Sequence, residues 1–156
     1  MRVNDADGAR TAEQQGAKAL AVDCAVAGLR DCTSLPVLCL AGADPADGDA
    51  VAIRPGDDES LGHEIVIEVR DEDELEEALD AHDPEILLIS PRNGDGLDGL
   101  ALALELLPDI PAGKLAIAQV AVGDRAEVLE LERAGFDAVL VAGDVAALVG
   151  VAHPDV

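Results

Sequence analysis

The sequence predicts an α/β fold in which parallel strands alternate with helices. Two observations carry this. Residues 64–148 alternate short apolar runs with amphipathic runs of helical period. The amphipathic runs also carry helix punctuation, with aspartate–glutamate pairs at capping-box spacing, a proline stop and a glycine close. Such alternation argues for βαβ units with right-handed crossovers.

EIVIEVR (64–70) reads as a strand. DEDELEEALDA (71–81) reads as a helix with Leu75, Ala78, Leu79 and His82 on one face. EILLIS (85–90) is the next strand, and a turn at 92–94 leads to a helix through Leu107, with Leu97, Leu100, Ala101 and Leu104 on one face. KLAIAQVAV (114–122), DRAEVLELERA (124–134) and AVLVA (138–142) read as strand, helix and strand, and 144–151 as a last helical turn or two. Asp71 with Glu74, and Asp124 with Glu127, have capping-box spacing, with Asp in place of Ser or Thr. Pro108 stops one helix, and Gly135 fits the left-handed position that closes another.

The first half is a compressed version of the second. Residues 1–8 read as a polar, frayed start and 152–156 as a frayed end of one domain spanning 1–156. Short helices are expected over 9–16 and within 24–32, and strands at AKALAVD (17–23), LPVLCL (35–40) and AVAIR (50–54). The loops 41–49 and 55–63 are too short for crossover helices. Nine extended residues reach about 30 Å, enough to return past a strand of about 17 Å. Such loops are expected to leave one sheet face without helical cover.

The 156 residues suffice for one domain with a real core and fall short of a full (βα)8 barrel, typically about 250 residues. Acids outnumber bases 33 to 10, for a net charge of −23, which argues against nucleic-acid or anionic-membrane partners. The acid excess reads as a solvated face. Low lysine, high aspartate and alanine, and one aromatic (Phe136) suggest a halophile or a GC-rich genome. No apolar run is long enough to span a membrane and no leader is visible, so a cytoplasmic location is the default expectation. Cys24, Cys32 and Cys39 match no zinc spacing and read as structural thiols. His63, His82 and His153 lack ligand spacing, so neither a metal nor a cofactor is expected.

Several stretches resemble the indole-3-glycerol-phosphate synthase family of (βα)8 enzymes. IEVRDEDELEEAL (67–79) resembles the family's fifth strand and helix, and residues 86–117 resemble the sixth strand, its loop and helix, and the lead into strand seven. AEVLELERAGFDAVLVAG (126–143) resembles the seventh helix and eighth strand. EQQGAKALAV (13–22), SLPVLCL (34–40) and DAVAI (49–53) resemble the strand-two, strand-three and strand-four regions. The implied fold is a truncated TIM-barrel-like parallel βα repeat, without strand one and some helices of the first half.

The resemblance implies a catalytic role for Glu68, matching the strand-five glutamate, and substrate contacts from Arg92 and Asn93 in the loop after strand six. Ser90, Gln119 and Gly143 complete the implied substrate site. The departures are equally specific. Ser90 replaces an asparagine, Gln119 replaces the strand-seven glutamate, and the strand-three lysine that acts as general acid falls at or next to Leu40. The strand-one Ser-Pro-Ser-Lys segment has no counterpart. The family reaction closes a ring and then loses carbon dioxide and water, which needs a placed acid and base and cations for carboxylate and phosphate. Leucine donates no proton, and glutamine is no base at neutral pH. Asp124 and Asp144 read as helix caps rather than phosphate ligands. The expected function is therefore that of a degenerate binding or regulatory homologue of a tryptophan-biosynthetic lyase, taking a phosphorylated small molecule. Exposed strand edges near 17–23 and 138–142 would invite a homo-oligomer or partner protein. An active lyase on this or a related phosphosugar, and an unrelated small α/β module, are the alternatives.

Overall fold

The computed structural model describes residues 1–40, 48–58, 62–92, 98–142 and 145–149. Its elements run α1 (Ala6–Gln14), β1 (Leu20–Val22), α2 (Leu29–Cys32), β2 (Val37–Cys39), β3 (Ala50–Ile53), β4 (Glu64–Val69), α3 (Glu72–Ala81), β5 (Ile86–Ile89), α4 (Gly99–Leu106), a 3-10 turn (Leu107–Asp109), β6 (Leu115–Gln119), α5 (Arg125–Ala134), β7 (Ala138–Leu140) and α6 (Val145–Val149). The seven strands are all parallel and lie in chain order. All seven expected strands form, each shorter than its apolar run. The expected frayed end at 152–156 lies outside the described residues.

The sheet curls into a barrel whose seam falls between β7 and β1. Among the described residues no full strand stands at that seam, and residues 1–3 occupy its upper part. Arg2 bridges Ala21 in parallel register. Ala21 N donates to Met1 O at 2.8 Å, Val3 N donates to Ala21 O at 2.9 Å, and Arg2 N donates to Val141 O at 2.9 Å. The polar start is thus not frayed: it is a short strip that touches both edge strands. Asp5 then caps α1 by accepting from Gly8 N at 2.6 Å.

Strand alternation sorts the apolar residues into two layers. Ala21, Leu40, Ala52, Val66, Leu88 and Leu140 fill the barrel interior. Leu20, Val37, Ile67, Leu87, Ile89 and Ala118 face outward, into the layer shared with Leu75, Ala103 and Leu131 of the helices. Burying an aliphatic side chain contributes roughly 1.5–3 kcal/mol, so the outer layer is the larger source of stability. In α4 the buried face is Leu100, Ala103 and Leu106; Ala101, expected on that face, points to solvent, and Leu97 lies outside the described residues.

No helix follows β2 or β3 among the described residues, as expected, yet the outer face there is not bare. Val51 and Ile53 are each 7% exposed. The chain entering β3 passes close to β2, where a Cβ on Gly48 would stand 2.4 Å from Cys39 Sγ, and the turn after β3 approaches α3, where one on Gly56 would stand 3.7 Å from Glu77 Oε1.

The caps position the mouth. Asp71 accepts from Glu74 N at 2.9 Å and Asp124 from Glu127 N at 3.1 Å. The glutamates return one residue further than in a standard box, to Arg70 N at 2.9 Å and Gly123 N at 2.5 Å. Gly135 closes α5 at φ 123°, a conformation that disfavours side chains.

Candidate functional site

Inward-facing residues alternate along each strand, so those just past the last apolar layer ring the C-terminal mouth of the barrel. Arg2 lies level with Ala21 in the seam. Asp23 lies two residues past Ala21, Arg54 two past Ala52, Glu68 two past Val66, and Ser90 two past Leu88. Gln119 is paired with Leu140 across β6 and β7.

Ser90 and Gln119, both implied by the resemblance, share one cavity of about 400 Å³. Its walls include Pro91, Val120, Ala121 and Ala142, and the one charged residue among its described lining residues is Arg2, which sequence reasoning placed in a frayed tail. Glu68 and Arg92 do not line that cavity. Glu68 is mostly buried and faces Arg54, Oε2 to Nε 3.9 Å. Arg92 is exposed and reaches back to Glu74 Oε1 at 3.3 Å. Asn93 and Gly143 lie outside the described residues, as does Asp144.

The mouth is a set of arginine–carboxylate pairs. Arg2 pairs with Asp23 and Arg54 with Glu68, while Arg70 and Arg92 converge on Glu74. Hydrogen bonding from Arg70 holds the Glu74 carboxyl below its ordinary value, and Glu74 in turn raises Arg70. The Arg2 side chain similarly lowers Asp23. Four of the chain's ten basic residues therefore sit at one end of the barrel, in a protein of net charge −23. Sequence reasoning singled out only Arg92. The missed signal is positional: Arg54 and Arg70 each immediately follow the last residue of a strand, β3 and β4.

Two further features define what this mouth can do. Leu40, where the family's lysine would fall, is buried in the barrel interior. The two lysines stand at the other end: Lys18 precedes β1, and Lys114 precedes β6, donating to Asp83 Oδ1 at 2.7 Å and Pro84 O at 2.6 Å. The loop after β6 offers its Gly123 N–H not to a ligand but to the Glu127 carboxylate, and Asp124 is a cap, as expected. That helix start already holds two carboxylates, which repel a phosphate. Among the described residues no group of three or more His, Cys, Asp or Glu could hold a metal.

No family model matches the chain. Curated relatives do. The chain is 36% identical to the indole-3-glycerol phosphate synthase of Campylobacter fetus over 83 residues, covering 53% of this chain and 32% of that protein. It is 32% identical to the same enzyme of Variovorax paradoxus over 112 residues, 71% of this chain and 40% of that protein. The Sulfurimonas denitrificans enzyme is 35% identical over 82 residues, covering 52% and 31%. The chain thus spans about a third of the length of the curated relatives it matches. Among solved structures, the N-acetylmannosamine-6-phosphate 2-epimerase of Clostridium perfringens superposes with a TM-score of 0.68 at 14% identity, over 91% of this chain and 79% of that one. At that identity the likeness speaks for the barrel fold alone. The sequence relatives support the resemblance at family level. No helix among the described residues is long and apolar enough to cross a membrane.

Proposed function

We propose that this chain is an indole-3-glycerol-phosphate-synthase-like barrel that binds an anionic, phosphorylated small molecule at its C-terminal mouth without performing the ring closure. The carrying observation is the placement of cations. Four arginines surround the mouth, while both lysines stand at the opposite end. Arginine binds carboxylate and phosphate well and is not deprotonated near neutral pH. It supplies binding and charge stabilisation, but it makes a poor general acid.

Glu68 is the one carboxylate of the expected site, and it already faces Arg54. Gln119, level with Leu140, can orient a ligand through its amide but moves no proton. General acid and base groups contribute about 10²–10⁴-fold each, so a site with leucine and glutamine in their places retains recognition and loses rate. A binding or regulatory role follows.

The test is calorimetric titration of folded protein in high salt, first with a reduced analogue of the carboxyphenylamino-deoxyribulose phosphate substrate, then with inorganic phosphate. The expected result is saturable heat with the analogue, weakened several-fold by Arg92→Ala, and no turnover of the unreduced substrate. Turnover that disappears in Glu68→Gln would instead establish an active lyase. Absence of heat with either ligand would remove the anion site altogether.

A further inference from the structure

The Ser90–Gln119 cavity has a cation of its own. Arg2 lies level with Ala21 in parallel register, and Ala21 faces the barrel interior. Its neighbours Met1 and Val3 pack into the helix-side layer. Successive residues of an extended strip point to opposite sides, so the Arg2 side chain points into the barrel. Main-chain bonds to Ala21 and Val141 fix the strip on both sides, and Arg2 lines the cavity together with Ser90 and Gln119.

The other mouth arginines are committed elsewhere. Arg70 is held by Glu74, Arg92 reaches back to the same carboxylate, and Arg54 faces Glu68; none of the three lines the cavity. Arg2 is held more loosely. Among the described residues its side chain bonds Asp23 alone, through Nη2. A guanidinium has several N–H donors in a fixed fork, so Nε and Nη1 remain available to a ligand. Asp23 stands two residues past Ala21 and is not among the described residues that line the cavity. With the Arg2 and Asp23 side chains 43% and 32% exposed, solvent screens their attraction and the pair gains little from it. A ligand oxyanion therefore displaces Asp23 at small cost.

We infer that Arg2 is the side chain that binds the ligand's oxyanion in the Ser90–Gln119 cavity, and that Asp23 is an internal anion competing with the ligand for it. This assignment rests on the anion reading of the mouth and names the pair of residues that sets its affinity. The Ser90 hydroxyl and the Gln119 amide are neutral donors that orient the bound group. Arg2 supplies the charge, and Asp23 balances that charge when no ligand is bound. The oxyanion is a carboxylate or a phosphate, both of which the arginine fork matches.

The test is calorimetric titration of the full chain in high salt with the reduced substrate analogue, across variants chosen for opposite signs. Arg2→Gln should weaken binding at least tenfold, more than Arg92→Ala does. Asp23→Asn should tighten it at least threefold, whereas Glu76→Gln, which neutralises an exposed acid of α3, should leave it unchanged. In the Arg2→Gln background the gain from Asp23→Asn should vanish, since the two residues act as a pair. A purely structural Arg2–Asp23 pair predicts no such opposition: both substitutions would lower the melting temperature and move affinity in the same direction. In the wild type, which needs no variant to fold, the Arg2 Nε–H and Gln119 side-chain amide resonances should shift together on titration. Binding undiminished in Arg2→Gln, looser binding in Asp23→Asn, or wild-type heat without a shift at Arg2 Nε–H would overturn the inference and leave the mouth reading standing. No heat from the wild type would overturn both. Inorganic phosphate then identifies the bound group. Phosphate binding that is lost in Arg2→Gln assigns the phosphate to Arg2, and phosphate heat that is retained or absent assigns the carboxylate.

Discussion

Replacing Glu74 by alanine removes the carboxylate on which two mouth arginines converge. Its Oε2 accepts from Arg70 N at 2.9 Å, and both oxygens lie 3.0 Å from Arg70 Nε. Glu74 and Arg70 are 17% and 24% exposed, whereas Arg92 is 62% exposed. The Arg92 contact therefore adds little, and the Arg70 contacts decide the outcome. Hydrogen bonds to charged groups contribute about 1.5–3 kcal/mol. Partial solvent screening and the loss of one bond to a backbone N–H bring the expected cost to roughly 2 kcal/mol. In a chain of this size that corresponds to a fall in Tm of about 4–8 °C. Thermal melts followed by circular dichroism at pH 7 in high salt measure it. Glu74→Gln, which keeps an acceptor but no charge, should lose about half as much. The pH dependence has a fixed sign. Arg70 depresses the folded-state pKa of Glu74 below its ordinary value of 4.5, so the stabilisation is complete above that value and is lost as pH falls through the depressed one. The gap between wild type and Glu74→Ala should therefore narrow on acidification. A gap below about 1 °C at pH 7, or one that persists undiminished in acid, would refute the reasoning that Glu74 anchors the mouth through Arg70.

Three further outcomes are expected. Raising salt from about 0.1 to 1 M shortens the screening length from about 10 to 3 Å; with a net charge of −23 the Tm should rise by several degrees, and a flat or falling profile would count against self-repulsion as a dominant destabilising force. Gly48→Ala places a Cβ 2.4 Å from Cys39 Sγ and 3.1 Å from Ala50 O; the crowding should cost about 1–3 kcal/mol, and adding Cys39→Ala should recover part of it in urea denaturation. Asp137→Ala frees the Ala116 N–H that Asp137 Oδ2 accepts at 2.8 Å, and should cost about 1 kcal/mol, with Asp137→Asn milder; equal losses for the two variants would mean that the side-chain acceptor is irrelevant.

The fold was legible wherever side-chain chemistry repeats a local rule. Leu75 and Ala78 keep helical period and are buried, and Asp71 and Asp124 cap as their spacing predicts. The strands emerge because their apolar runs are bounded by turn formers. Illegible were the features set by what the barrel brings together. Nothing local to residues 1–3 announces pairing: the strip is held by Ala19, Ala21 and Val141, all distant in sequence. Val51 and Ile53 are nearly buried although no helix follows β2 or β3 among the described residues, which no hydrophobic period records. At the mouth, Ser90 and Gln119 do meet in one cavity, but Arg2 enters it from the seam, and Glu68 is turned to Arg54. Arginines ending β3 and β4 carry meaning only once curvature turns neighbouring strand ends into a ring.

The acid excess also changes meaning in the fold. As composition it reads as a solvated face. In place, many of the carboxylates serve the backbone. Asp5, Asp71, Asp98 and Asp124 cap helices. Glu74 and Glu127 take the N–H groups of Arg70 and Gly123. Asp49 and Asp137 each stand one residue before a strand beginning Ala-Val, and each accepts from the neighbouring strand with its side chain while donating to it from its own N–H. Asp49 bonds Val37 N and O, both at 2.8 Å, and Asp137 bonds Ala116 N at 2.8 Å and O at 2.9 Å. Hydrogen bonding from Val37 accordingly lowers the Asp49 carboxyl. Two opposed electrostatic effects result. Surface acids repel one another and lose that repulsion in salt, whereas the backbone-bonded acids stabilise at short range and are screened far less. Salt should thus unmask the second group, and neutralising Asp49 should cost more than neutralising an exposed acid such as Glu76 even where the long-range field is screened out.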